Sequence, residues 1–377
     1  MSIVLIAGIL LFVYPFVIYP AVLFVLARLR TQRPEPVNPE IHQPTVALVV
    51  CALNEEKVIR QKVENSLALR YPKDLLSLVF VSDGSTDSTA EIIREYQPAG
   101  IELIEQRVRR GKIANLNETL AARTEDILVL SDANVIYHPD ALLHLTASFR
   151  DPAVGCVSGK VILTDTATVL DGPTESYYSL EWYLQEKASE IYSMVGTDGA
   201  MYALRRELFR PCPNDTLIED FVIAMEVIRL GRRVVFEPRA LGWEQGPASL
   251  REEFRRKVRI AAGSAQGLCR GNAWPRRAPW RYWFIFASHK LLRWLSPVAG
   301  AVILVSAALT ARQAPSQLVL IGFLAATILA LLRWITGWNH PLFSAPFYFL
   351  FGQVAMAIGL LKGVAGQQTV LWAKADR

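Results

Sequence analysis

The stretch VFVSDGSTDSTAEII, from Val79 to Ile93, decides how the middle of this chain is expected to fold. Its apolar run ends at Asp83, and a glycine with a group of hydroxyl and acidic side chains follows before a helical pattern begins. Nearly continuous apolar runs are typical of strands covered on both faces, and Ser, Asp and Asn commonly precede helices. The stretch therefore predicts a strand that leads into a helix, with Asp83 and Asp87 at the mouth of the strand.

The same alternation of apolar runs and helical patterns extends over residues 40–270. Strands are predicted at 45–52, 76–82, 101–105 and 126–131, and helices at 56–69, 88–96 and 113–122. Strands that alternate with helices favour an α/β fold with a mostly parallel, doubly wound sheet. Ligands of such sheets bind beyond the carboxyl ends of the strands.

The N-terminal end of the chain is expected to form a transmembrane anchor over residues 1–30. Residues 3–27 carry no charge and are long enough to cross a membrane, and they lack the basic front of a signal peptide. Arg28, Arg30 and Arg33 follow, so the positive-inside rule places the next domain in the cytoplasm. Residues 31–43, rich in proline and polar residues, are interpreted as a linker.

The C-terminal region 293–377 is also expected to lie in the membrane. It holds apolar segments at 294–311, 317–332 and 342–361, the last interrupted by Pro346 and Gln353, so that two or three of them cross. Aromatic and basic residues alternate just before this region, which predicts an amphipathic helix at the membrane interface over 271–292. A buried helix of a soluble core is the alternative.

Charge and cysteine content exclude some function classes. The net charge is +5, and the basic residues are spread over several clusters rather than one block of the kind that binds nucleic acid. The four cysteines lie far apart, without the paired spacing of a metal site. They are interpreted as buried thiols in a reducing compartment.

Polar clusters follow three of the predicted strands: Asn54-Glu55-Glu56, Asp83-Gly84-Ser85 and Asp132-Ala133-Asn134. Each cluster could simply cap the next helix. Together they would place several acids on one edge of the sheet, where a divalent cation with a phosphorylated ligand is the natural counterpart. Asp132 and Asn134 are two residues apart and would share one side of an extended segment.

The order of these motifs resembles that of the family 2 glycosyltransferases with the GT-A fold. The residues that carry the resemblance are Asn54-Glu55, Asp83-Gly84-Ser85-Thr86-Asp87, Arg110-Gly111-Lys112, Asp132-Ala133-Asn134 and Glu219-Asp220. The membrane-anchored branch, with its cellulose, hyaluronan and poly-N-acetylglucosamine synthases, is the most similar. The resemblance implies a GT-A domain at 44–270 between N- and C-terminal transmembrane helices.

The resemblance also implies a donor site. Its residues would be Asn54, Glu55, Asp83, Lys112, Asp132, Arg256 and Arg259. Glu55 and Asp83 would bind the nucleoside, with Gly84 leaving room for it, and Lys112 would lie near the diphosphate. Asp132 and Asn134 would hold Mg²⁺ or Mn²⁺. Because the family usually has aspartate at both positions, Asn134 either lowers the metal affinity or is not a direct ligand.

On the acceptor side, the resemblance assigns Gly199 and Glu219 to acceptor binding and Asp220 to the catalytic base of an inverting displacement. Polymer-forming members have a Gln-x-x-Arg-Trp motif, whose arginine corresponds to Arg259 here. The tryptophan is replaced by Ile260, which offers no ring for stacking on a sugar. A long processive channel is therefore in doubt.

The leading hypothesis is a metal-dependent hexosyltransferase of the inner membrane. It would move a sugar from a nucleotide donor, most often a UDP-sugar in this family, to a lipid-linked saccharide or an envelope polysaccharide, in contact with membrane lipids. The alternatives are a processive polysaccharide synthase, a nucleotide-sugar-binding regulator without activity, and a nucleotidyltransferase. An oligomer remains possible.

Overall fold

The computed structural model describes residues 3–29, 43–164 and 173–369. Within them, one sheet contains the strands β1 (Val46–Ala52), β2 (Leu76–Asp83), β3 (Ile101–Gln106), β4 (Ile127–Asp132), β5 (Ile136–Tyr137), β6 (Val154–Thr164), β7 (Met201–Arg205) and β8 (Arg233–Gln245). All of the predicted linker except residue 43 lies outside the described residues.

The α-helices of the same residues begin in the N-terminal apolar segment and end in the C-terminal one. They are α1 (Ile3–Val13), α2 (Tyr19–Leu29), α3 (Ile59–Leu67), α4 (Thr89–Glu95), α5 (Lys112–Ala121), α6 (Ala141–Ala147), α7 (Pro173–Ile191), α8 (Glu219–Arg229), α9 (Leu250–Arg270), α10 (Trp280–Phe286), α11 (Leu292–Trp294), α12 (Ser296–Leu309), α13 (Ala314–Thr336) and α14 (Pro341–Val364). Short π-helices at Tyr14–Ile18 and Ala287–Leu291 join α1 to α2 and α10 to α11.

The strands lie in the order β3-β2-β1-β4-β7-β6-β8-β5. The first four are parallel, as predicted, but β7 runs antiparallel to both β4 and β6. The prediction of a mostly parallel sheet is therefore correct for β1 to β4 and for the pair of β6 with β8, and the whole sheet is mixed. The reversal arises because the loop before β7 lies at the carboxyl end of β4, where the Asp132 amide donates to the Ala200 carbonyl.

Both faces of the sheet are covered, which explains the continuous apolar runs. Along β1, Ala47 and Val49 pack into a core shared with α5, α8 and α10, whereas Val46 and Leu48 pack into a second core with α3, α4 and α6. Each predicted strand begins and ends within one residue of the observed one. Burial on both faces removes the polar alternation of a half-exposed strand, so the run itself marks the strand.

The apolar ends form helices that are long enough to cross a membrane. Ile3–Leu29, Ala314–Thr336 and Pro341–Val364 each meet this condition within the described residues, and Trp280–Trp294 with Ser296–Leu309 adds a fourth if this pair, bent by 59°, is one span. The predicted interruption of the last segment is wrong, since α14 continues through Pro346. The Gln353 side-chain oxygen accepts a hydrogen bond from Ser296 Oγ at 2.9 Å, so this polar group has a partner.

The segment predicted as one interfacial helix, 271–292, is a turn followed by α10 and a π-helix. Its aromatic side chains divide between two environments. Tyr282 and Phe286 are buried in the core of the sheet domain, whereas the Trp280 side chain is 73% exposed. One face of the segment therefore packs against the protein, and contact of the other face with lipid stays a prediction.

Candidate active site

The loops after β1 and β2 are tied together at the carboxyl edge of the sheet. Asn54 has a φ of +54°, its amide donates to Ser85 Oγ at 3.1 Å, and its side-chain oxygen accepts from the Thr86 amide at 2.8 Å. Asp87 accepts from the amide of Thr89, the first residue of α4. Asn54 and Asp87 thus shape the loops directly, and donor binding by Asn54 and nucleoside binding by the half-buried Glu55 stay predictions.

Asp83 holds the loop that leads into α5. Its two carboxylate oxygens accept from the amides of Arg110 at 2.6 Å and Gly111 at 2.9 Å. Gly84 has a φ of +66°, and a Cβ there would lie 2.5 Å from the Arg109 nitrogen. The close approach of this loop explains the glycine, and the expectation that Gly84 also leaves room for a nucleoside stays a prediction.

Lys112 brings three of the predicted site residues together. Its Nζ lies 2.8 Å from Asp132 Oδ1, at the end of β4, and 2.7 Å from Glu219 Oε1, at the start of α8. Burial alone would lower the pKa of Lys112, but the two carboxylates outweigh it and raise the pKa well above its usual value. A fixed positive charge therefore lies between the predicted metal-binding strand end and the predicted catalytic helix.

The Asp220 side chain packs directly against Gly199, in the loop before β7. A Cβ on Gly199 would be 3.1 Å from Asp220 Oδ2, so a larger residue here would require the carboxylate to shift by a few tenths of an ångström. Burial and then the neighbouring Glu219 raise the pKa of Asp220 to about 6, although Lys112 and Arg259 oppose the shift. A carboxylate with a pKa near neutrality is suited to general base catalysis.

Two acids that the sequence interpretation did not assign complete the site. Glu244, near the end of β8, accepts a hydrogen bond from the Asn134 side-chain amide at 2.9 Å. The Asp198 amide donates a hydrogen bond to Ser158 Oγ. Burial raises the pKa of the Asp198 carboxyl to about 7, and the nearby acids Glu244, Asp220 and Asp132 add to this shift. Asp198 immediately precedes Gly199, which the resemblance assigned to acceptor binding, whereas Glu244 could be placed only once the end of β8 was known.

The oxygen donors of this edge fit a divalent cation that also binds phosphate. Among the described residues, no three His, Cys, Asp or Glu side chains converge closely enough to enclose a metal. Mg²⁺ and similar ions commonly take one or two protein carboxylates and complete their shell with substrate phosphates and water. Asp132, with the Asn134 and Glu244 side chains beside it, offers such a partial set.

The two arginines assigned to the donor lie on α9 and differ in their surroundings. Arg259 Nη1 donates to the Leu217 carbonyl at 3.2 Å, two residues before Glu219. Arg256 contacts Glu253 at 2.9 Å and the Tyr178 hydroxyl at 2.7 Å. Arg259 thus reaches the loop before the predicted catalytic helix, and contact of either arginine with a diphosphate stays a prediction.

A family model described as Glycosyltransferase like family 2 matches residues 43–263, more than half of the chain. The chain belongs to glycosyltransferase family 2. The matched region of this glycosyltransferase contains the sheet and the site residues Lys112, Asp132, Glu219 and Asp220. The match confirms the resemblance inferred from the motifs.

Two curated relatives of this glycosyltransferase resemble it over the same part. The probable glycosyltransferase YdaM of Bacillus subtilis is 28% identical over 59% of this chain and 55% of its own length. A poly-beta-1,6-N-acetyl-D-glucosamine synthase of Staphylococcus epidermidis is 23% identical over 61% of this chain and 57% of its own length. The match thus spans just over half the length of these relatives.

A solved structure shares the fold over nearly the whole chain. The mannosyltransferase PcManGT from Pyrobaculum calidifontis, in complex with GDP-Man and Mn²⁺, superposes with a TM-score of 0.77 at 22% identity. The similarity covers 97% of this chain and 99% of that one. The glycosyltransferase domain and the apolar helices beside it therefore form an arrangement that is known in another protein.

Proposed function

We propose that this protein is an inverting, metal-dependent glycosyltransferase that moves a sugar from a nucleotide donor to a membrane-associated acceptor. The observation that carries the proposal is the Lys112 bridge from Asp132 to Glu219. This bridge connects the end of β4, which is suited to binding a metal ion with the donor diphosphate, to the helix that carries Asp220. Both lie at the carboxyl edge of the sheet.

On the donor side, Asn54, Glu55 and Asp83 would bind the nucleoside, and Arg256 and Arg259 would support the diphosphate. Asp132 and Asn134, with Glu244 as a further oxygen donor, would hold Mg²⁺ or Mn²⁺. The bound metal would neutralise negative charge on the departing nucleoside diphosphate. Lys112 adds a charge that does not depend on the metal, because its raised pKa keeps it protonated.

On the acceptor side, Asp220 would take the proton of the attacking hydroxyl. The hydroxyl oxygen forms a bond to the anomeric carbon while the bond from that carbon to the diphosphate oxygen breaks, and the proton moves to the Asp220 carboxylate. A base opposite the leaving group gives inversion. Gly199 lets the loop before β7 lie against this carboxylate. Glu219 holds Lys112 near Asp220.

The acceptor would be lipid-linked or a polysaccharide at the inner membrane, with the glycosyltransferase domain in the cytoplasm. The apolar helices of both termini and the basic residue Arg28 support this orientation. A processive synthase is the second candidate, because relatives named poly-beta-1,6-N-acetyl-D-glucosamine synthase match the domain. The 40% exposed Ile260 side chain, in place of an acceptor-stacking tryptophan, favours single additions.

The test is release of nucleoside diphosphate by detergent-purified protein with a panel of UDP- and GDP-sugars, with and without Mn²⁺ and membrane lipid extract. Release that requires one donor, metal and lipid supports the proposal, whereas release of pyrophosphate would identify a nucleotidyltransferase. A ladder of products would favour the synthase. Donor binding without any release across the panel would favour the regulator.

A further inference from the structure

Lys62 of α3 is a fully buried cation that the proposed chemistry does not use. Its side chain has no exposed surface, and its Nζ lies 4.1 Å above the Tyr137 ring. Lysine is rarely buried completely unless its ammonium has partners, because loss of hydration is costly. Among the described residues no carboxylate forms a salt bridge with Lys62, so its partners must be neutral groups.

Those partners flank the two predicted metal ligands. Lys62 Nζ donates to Ser131 Oγ at 2.7 Å and to the Val135 carbonyl at 2.6 Å. Ser131 immediately precedes Asp132, and Val135 immediately follows Asn134. One amine thus holds both ends of the Asp132–Asn134 turn from behind, on the side opposite Lys112.

The rest of α3 strengthens this contact. Asn65, three residues after Lys62, exchanges two hydrogen bonds of 2.8 Å with the backbone of Tyr137. Ser131 Oγ, which accepts from Lys62, in turn donates to the Asp132 carbonyl at 3.1 Å. Burial lowers the pKa of Lys62 to about 7, although Asp132 opposes the shift, and the amine can donate both hydrogen bonds in either protonation state.

We propose that Lys62 is a positioning residue of the donor site. By fixing both ends of the Asp132–Asn134 turn, it sets the geometry in which these two side chains receive a divalent cation and the diphosphate of the donor. This inference rests on the proposed function. It goes beyond it by assigning a role to a residue that touches neither the metal nor the sugar.

The test compares Lys62→Met with Val63→Ala, a substitution at the next residue of α3, which is equally buried but lies in the apolar core. Mn²⁺ affinity is measured in the presence of UDP or GDP by calorimetry or electron paramagnetic resonance, beside kcat and the donor KM. Loss of a residue that supports metal ligands typically weakens metal binding about 10- to 100-fold. We expect that loss for Lys62→Met and wild-type Mn²⁺ affinity for Val63→Ala.

Ser131→Ala provides a milder second variant, because it removes one of the two acceptors of Lys62 and leaves the helix intact. It should weaken Mn²⁺ binding in the same direction but less. Unchanged Mn²⁺ affinity and donor KM in folded Lys62→Met would overturn this inference and leave the proposed function standing. If Lys62→Met does not fold, the same result for Ser131→Ala would do so. Equal weakening in Val63→Ala would also overturn it, and wild-type protein that binds neither Mn²⁺ nor nucleotide would overturn the proposed function as well.

Discussion

Replacing Asp220 by asparagine removes the proposed base while preserving the shape of the site. Asparagine has the same size, so the close approach of Gly199 at 3.1 Å remains possible. Lys112 keeps its contacts with Asp132 and Glu219, which hold the donor side. A positioned base typically contributes about 10²- to 10⁴-fold, so kcat should fall by that factor, or about 3 to 5 kcal/mol, with donor affinity unchanged.

The pH profile gives a second, independent signature of Asp220. Burial and Glu219 raise its pKa from 3.8 to about 6, and the base acts only when deprotonated. Wild-type kcat/KM should therefore fall roughly tenfold per pH unit below about 6 and level off above. The contribution of Asp220 to the free energy of unfolding changes with pH in the opposite direction to activity. A raised acid pKa in the folded state favours folding at low pH, and this contribution is lost as pH rises from about 4 through about 6.

Nucleoside diphosphate release between pH 5 and 8, with calorimetric donor binding, measures both signatures. Asp215→Asn is the matched control, since it is an exposed carboxylate of the preceding loop whose pair with Arg270 is worth at most about 1 kcal/mol. It should leave the acidic limb of the profile unchanged. An Asp220→Asn protein that keeps a tenth of the wild-type turnover would refute the assignment, as would a profile with no acidic limb.

Three further predictions concern close packing at two glycines and the dependence of activity on a metal ion. Gly199→Ala places a Cβ 3.1 Å from Asp220 Oδ2, so the proposed base must shift by a few tenths of an ångström, and kcat should fall about tenfold with donor binding retained. Gly322→Ala, with nothing within 4 Å, should leave kcat unchanged, and equal activities of the two variants would contradict the close approach. Gly359→Ala places a Cβ 2.5 Å from a backbone carbonyl of α9, so overpacking of about 1–3 kcal/mol should lower the melting temperature in detergent. Gly352→Ala, on the same helix and in open space, is its control, and a matching decrease would refute the packing argument. Chelation by EDTA should abolish nucleoside diphosphate release and added Mn²⁺ or Mg²⁺ should restore it, whereas full activity in EDTA would exclude metal dependence.

Three of the four strands that the sequence predicted, β1, β2 and β4, are buried along most of their length, whereas the edge strand β3 exposes Glu102 and Glu105. β1, β2 and β4 are short apolar runs, so each run marks its own strand, and the apolar positions Ile101, Leu103 and Ile104 mark β3 close by in the sequence. β6 and β8 were not predicted, because they mix buried and polar positions and pair with each other across some 80 residues. Pairing at that separation depends on the whole fold rather than on a local pattern.

Site residues were likewise predicted where a local motif marks them, and missed where only the folded chain brings them to the site. Asp132, Glu219 and Asp220 stand at the ends of elements, where motif order points to them. Glu244 could be placed only once β8 was known. Lys62 lies within a helical pattern of mixed charge, in which a lysine is expected on the solvated face, and only the packing of α3 behind the Asp132–Asn134 turn buries it.

The apolar helices are also connected to the loop that precedes Asp220, the proposed base. Gln266 of α9 accepts from the Leu217 amide at 3.1 Å and donates to the Asp215 carbonyl at 2.8 Å, so α9 fixes the loop before Asp220. At Gly363, α14 in turn approaches α9 so closely that a Cβ would lie 2.3 Å from a backbone oxygen. The Gln266 side chain thus binds two backbone groups of the loop before α8, and the close approach at Gly363 packs the last apolar helix against the helix that carries Gln266. The position of the base is thus defined relative to the helices that would meet the membrane, which is where a lipid-linked acceptor would present its hydroxyl.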